Sequence, residues 1–179
     1  MLEMRIHGYG GEGIVTLAEL IATAAMKTGK KVQTLPHFGV ERRGAPVKAL
    51  VRLSDAPIYV HSQSYQPDIL LVLNIKLLDL ALSQGISEQG TVITNCAHAV
   101  EVPYPSKHID ATGIAIAENL VADKVPFINI PLAGAMCAHL GIPFAKMRET
   151  IETKWAGKTG VRNADVAEIA YNIMRGGEK

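Results

Sequence analysis

The sequence predicts an α/β protein: a Rossmann-like three-layer fold with a mostly parallel mixed sheet, an antiparallel hairpin and a helical C-terminal third. Three observations predict it. Met4 to His7 reads as a short strand that stops at a glycine turn and is followed by a long helical pattern, the order that opens a βαβ unit. Ile69 to Leu73 is a continuous apolar run bounded by Asp68 and Asn74, as in a strand buried on both faces. From Ala111 onward the apolar residues recur at helical spacing. The 179 residues, 48% hydrophobic and 20% charged, suit one ordered domain spanning 1–179.

The first helix is apolar on all sides but one. Glu12, Thr16, Glu19, Thr23 and Lys27 recur at steps of three and four and form a single polar stripe. Such a helix is packed on its remaining sides, against a sheet and also a neighbouring helix or another chain. Gly29 supplies a C-terminal cap. Lys31 to Leu35 is the second strand. The loop from Pro36 to Pro46 is bounded by prolines and punctuated by glycines. Val47 to Leu53 alternates as a half-buried strand, with Lys48, Leu50 and Arg52 on its wetter face, and Ile58 to Val60 is expected to return as its antiparallel partner.

Asn74 is placed to cap a helix running through Ser83. Thr91 to Thr94 is a short buried strand, Val100 to Pro105 a proline-broken connection, and Ile109 the centre of a weak last strand. Ala111 to Leu120 and Ile130 to Leu140 are helical, and Pro143 opens a helix carrying Phe144, Met147, Ile151 and Trp155. Lys158 to Gly160 reads as a linker. Asn163 then caps a final helix with an apolar stripe of Val166, Ile169, Ala170, Ile173 and Met174.

The spacing Gly8-x-Gly10-x-x-Gly13, with Gly11 between, fits the dinucleotide fingerprint. A nicotinamide site also needs an acid at the end of the second strand, and Thr34-Leu35-Pro36-His37 supplies none before Glu41. No Lys-Ser/Thr pair follows the glycines, which excludes a P-loop. The loop after the second strand concentrates His37, Phe38, Glu41, Arg42, Arg43 and Gly44 beyond the carboxyl end of a strand. Two readings stay open for it. One is a solvated turn with an Arg–Glu pair of small energetic value. The other is a docking loop for an anionic ligand or partner chain, which arginine suits through bidentate recognition.

A net charge of +1 argues against non-specific nucleic-acid binding. No apolar run reaches the ~20 residues of a membrane span, and the chain is expected to be cytoplasmic. Two cysteines, Cys96 and Cys137, cannot supply the Cys₄ set of an iron–sulfur cluster and read as buried thiols. The histidines show no metal-ligand spacing, and no G-x-S-x-G elbow is present. His7 and His37 each end a strand on the ligand side, where a structural histidine is the simpler reading. The residues alone support a binding or assembly domain with no catalytic constellation.

The segments RIHGYGGEG, VQTLPHFGVERRGAPVKALVRLSDAPI, YQPDILLVLN and NIPLAGAMCAHLGIP…KWAGKTGVRNADVAEIAY, in that order, resemble the gamma subunit of 2-oxoacid:ferredoxin (flavodoxin) oxidoreductases. The Glu41-Arg42-x-Gly44-Ala45-Pro46 loop is most similar to the pyruvate and 2-ketoisovalerate types. The resemblance implies a complex with alpha, beta and delta-type subunits that hold thiamine diphosphate, Mg2+ and [4Fe-4S] clusters. Such a complex decarboxylates a 2-oxoacid oxidatively, passes electrons to ferredoxin or a similar acceptor, and transfers the acyl group to coenzyme A. It implies no cofactor held tightly by this chain, whose Gly8, Gly10, Gly11 and Gly13 become coenzyme A or subunit contacts. The family usually has Gln where this chain has Glu12. A carboxylate in the first helical turn complements the helix dipole but repels a phosphate there, so either Glu12 points away along its polar stripe or the glycine turn contacts protein, and the second is the favoured expectation. The alternatives are an independent dinucleotide-binding oxidoreductase, the same family acting on an aromatic 2-oxoacid such as phenylglyoxylate, and a homo-oligomeric regulator associating through its first helix.

Overall fold

The structure, a computed structural model, describes residues 1–37 and 44–176. Its centre is a six-stranded sheet in the order β2-β3-β1-β4-β5-β6. These strands are β1 (Leu2–Tyr9), β2 (Lys31–His37), β3 (Pro46–Ser54), β4 (Ile69–Val72), β5 (Thr91–Asn95) and β6 (Ser106–Ile109). β1, β4, β5 and β6 pair in parallel, whereas β3 is antiparallel to both β1 and β2. The sheet is therefore the mixed, mostly parallel one expected.

The antiparallel partner of β3 is not the one expected. Ile58 to Val60 forms no strand. β3 inserts between β2 and β1, so both of its edges are already hydrogen-bonded and a further strand has nowhere to pair. The hairpin is β2–β3, and the chain after β3 crosses the sheet as an irregular strap. A smaller antiparallel pair joins β7 (Val121–Ala122) to β8 (Val125–Pro126), turning through Asp123 and Lys124, both at positive φ as a two-residue hairpin turn requires.

Helix α1 (Ile14–Met26) lies against β2 and β3 on the sheet and against α4 (Asn129–His139) and α5 (Phe144–Lys154). Neighbouring helices of the same chain thus cover the apolar sides that suggested self-association. Its polar stripe is bridged to α5 by Lys27–Glu149 and Lys154–Glu19 ion pairs. Gly29 has φ +91 just past its end, and its N–H donates to Met26. Every residue of α4 except His139 is buried, including Gly134, where a Cβ would lie 1.8 Å from the Ala167 carbonyl oxygen of α6 (Lys158–Gly176). On the opposite face α2 (Leu78–Ser83) covers Leu70, Val72 and Val92. Asn74 caps the 3₁₀ turn that leads into α2, its Oδ1 accepting from the Lys76 N–H, and Asp110 caps α3 (Ala111–Ala117).

The last helix differs from its expected outline. It starts at Lys158, so Lys158 to Gly160 is helix rather than linker, and Asn163 is a buried residue inside it. Glycine is a poor helix former, which hides this start in the sequence. Its missing side chain is what the packing uses, because a Cβ on Gly160 would lie 1.8 Å from the Trp155 carbonyl oxygen. Val166, Ala170 and Met174 are buried as expected, but Ile169 and Ile173 are exposed and Ala164 and Ala167 take their place. No helix among the described residues is long and apolar enough to cross a membrane.

Candidate functional site

The glycine turn lies at the carboxyl end of β1, beside the ends of β4 and β5. It is closed from within. Glu12 bends back over the turn, and its carboxylate accepts from the Tyr9 N–H at 2.7 Å and from Asn74 Nδ2 at 3.2 Å. It is half-buried and turned away from the polar stripe of α1. Gly8 makes the room, since a Cβ there would lie 2.7 Å from Glu12 Oε2. Gly13 caps α1 at φ +76, and the Asn129 side chain, from the first residue of α4, packs on it at a distance a Cβ would not allow. Gly11 also has positive φ.

The opposite rim of the turn is bound by the loop that follows β2. The Gly10 N–H donates to the Ala45 carbonyl at 2.9 Å, and the Gly44 N–H donates to the Gly10 carbonyl at 3.3 Å. The described end of the predicted docking loop therefore sits on the glycines. Phe38, Glu41, Arg42 and Arg43, together with the His37 side chain, lie outside the described residues.

This geometry does not fit a phosphate. The Tyr9 and Gly10 N–H groups are already engaged, and a carboxylate occupies the place where an anion would approach. Two other candidate groups, His7 and Cys137, are buried. His7 is buried and accepts from Arg5 Nε at 3.0 Å. Burial, then the Arg5 and Lys48 charges, push its pKa down to about 4, so it is neutral near pH 7. Arg5 itself donates to the carbonyls of Ser64, Ala81, Gln84 and Gly85, and burial lowers its pKa. Burial pushes the Cys137 thiol up to about 12, the wrong direction for a thiolate ligand. Cys96 is half-buried and donates to the His98 carbonyl at 2.9 Å.

Sequence reasoning missed one cluster at this edge. Asn129, Asn163 and Arg162 line a pocket of about 320 Å³ between the N-termini of α4 and α6. The available signal was an asparagine opening an alanine-rich helix and another inside a helix face, polar residues where the pattern calls for apolar ones.

A doubly covered mixed sheet with a glycine turn at the end of its first strand defines an α/β protein of Rossmann-like architecture. Comparison with known proteins is in accord. The family model described as pyruvate ferredoxin/flavodoxin oxidoreductase matches residues 3–173. The chain belongs to this family. It is 41% identical, over 96% of each chain, to the pyruvate/ketoisovalerate oxidoreductases common subunit gamma of Thermococcus kodakarensis. It is 42% identical, over 98% of each chain, to the pyruvate synthase subunit PorC of Methanothermobacter marburgensis. Among solved structures, the pyruvate oxidoreductase subunit PORC of Thermotoga maritima matches with TM-score 0.81 at 28% identity, over 96% of this chain and 95% of that one. A 2-oxoglutarate:ferredoxin oxidoreductase from Magnetococcus marinus shares the fold at TM-score 0.83 and 19% identity; this chain covers 31% of it. The gamma-subunit resemblance of the four sequence segments is thereby borne out.

Proposed function

We propose that the chain is the gamma subunit of a multi-subunit 2-oxoacid oxidoreductase that converts a 2-oxoacid such as pyruvate to acyl-CoA and CO2 and passes electrons to ferredoxin or a similar acceptor. Alpha, beta and delta-type partner subunits hold the thiamine diphosphate, Mg2+ and [4Fe-4S] clusters that supply the carbon–carbon cleavage and electron transfer. This chain performs no bond-breaking. It is a structural subunit close to the coenzyme A site.

One observation carries the reading: the glycine turn that would hold a nucleotide phosphate is closed by Glu12 and hydrogen-bonded to the loop after β2. The same observation weighs against an independent dinucleotide enzyme. The turn, with Gly44 and Ala45 bonded to it, then presents a face to the catalytic subunits. The full-length likeness to gamma and PorC subunits supports the same assignment.

The test is co-purification from the native cell with a tag on this chain. Thiamine- and cluster-bearing chains are expected in the eluate, with turnover of a 2-oxoacid that depends on coenzyme A. Arg42→Glu with Arg43→Glu should release the chain or depress that turnover. An isolated chain that binds NAD or FAD tightly overturns the reading.

A further inference from the structure

We infer that the pocket between the N-termini of α4 and α6 seats an extended segment of a partner subunit that carries a carboxylate. The inference rests on the subunit role proposed above and names the contact. Asn129 and Asn163 form part of the floor. Each is only 7% exposed, and neither amide makes a hydrogen bond with another described residue. Their amide atoms open onto the pocket rather than being sealed from water, so both can take a partner that arrives from outside. Each presents a donor and an acceptor. The backbone of an extended peptide offers the complementary pair at every residue.

The charge of the pocket selects an acid. Arg162 is steered into the wall by its own chain, its Nη2 donating to the carbonyls of Glu118 at 3.0 Å and Asn119 at 2.8 Å. Its Nε and Nη1 donate to no described residue, and no carboxylate is among the residues lining the pocket. Two helix N-termini add their positive dipole ends. The rim favours a polypeptide over a free small anion. Phe127 is 45% exposed beside the half-buried Trp155. Such aromatic edges around a polar floor serve as interface anchors.

The test replaces Phe127 with the photo-reactive amino acid p-benzoylphenylalanine in the tagged holoenzyme, followed by irradiation and mass spectrometry. The expected adduct joins position 127 to a non-helical partner segment with an adjacent Asp or Glu. Arg162→Glu should lower its yield about tenfold, with Arg162→Lys restoring part of it, while the chain still co-purifies through its other face. An intact complex with no partner adduct overturns the inference and leaves the subunit role standing. So does an adduct on an acid-free segment or on a small molecule, or a yield unchanged by Arg162→Glu. Absence of partner chains from the eluate overturns both.

Discussion

The two faces of the sheet are held by different forces. On one face α1, α4, α5 and α6 pack an apolar core around Met4, Ile6, Ala49, Val51, Leu71 and Ile93. Alanines and glycines let the helices approach closely, as Gly134 does against Ala167. On the other face, over β1 and β3, the covering layer is the strap after β3, and it is anchored by two buried arginines. Arg52, 1% exposed, donates to Glu3 at 2.6 Å, to Gln33 at 2.9 Å and to the carbonyls of Val60 and Ser62. Arg5 bonds Ser64 and the end of α2 in the same way. The register makes this exact arrangement available by placing Glu3, Arg52 and Gln33 side by side on three adjacent strands. The first face is stabilised by area removed from water and tolerates little added volume. The second is stabilised by satisfied hydrogen bonds and tolerates no lost partner.

That contrast can be broken on either side. The largest effect is expected from Gly134→Ala, which drives a Cβ into the α6 backbone. It should cost about 3 kcal/mol or prevent folding, as read by urea denaturation and soluble yield. An unchanged denaturation midpoint would show that the helical face is looser than its contacts imply.

On the other face, Arg52→Met fills similar volume but leaves Glu3 unpaired and the Val60 and Ser62 carbonyls without their donor. A loss of about 3 kcal/mol is expected, with faster chymotryptic cleavage beside the exposed Tyr59. Adding Glu3→Met should recover part of the loss, because it removes the stranded carboxylate.

The next effect is a pH dependence. His7 has a folded pKa near 4, below its unfolded value of 6.5, so between these values the unfolded chain binds the extra proton. Its contribution is fully present above pH 6.5 and is lost as the pH falls towards 4. The loss amounts to about 3 kcal/mol at most. His7→Gln keeps an acceptor for Arg5 and should flatten this part of the stability–pH curve, measured by thermal melts in a buffer series.

The smallest expected effect is at the glycine turn. Glu12→Gln, the residue usual in the family, offers one acceptor oxygen where the carboxylate offers two. It should cost about 1 kcal/mol of stability and leave assembly with the partner chains intact. Loss of assembly instead would assign Glu12 a direct contact across the interface.

Much of the fold was legible in local pattern. The alternation of apolar residues, the buried run Ile69 to Leu73 and the one-stripe first helix each state which sides must leave water, and that requirement is written residue by residue. Full-length motif order carried the family. Tertiary structure alone decided the rest. Arg52 sits on what alternation marks as a wet face, and only the strap lying over it makes its burial tolerable. Ile58 to Val60 reads as a strand until β3 is seen to have no free edge. Gly160 and Asn163 read as linker and cap, yet both are interior, because packing against Trp155 and the pocket overrides weak local propensity. The Glu12 bond to Asn74, and the two asparagines lining one pocket between α4 and α6, join residues tens of positions apart. Such contacts arise from chain crossing, and no window of sequence contains them.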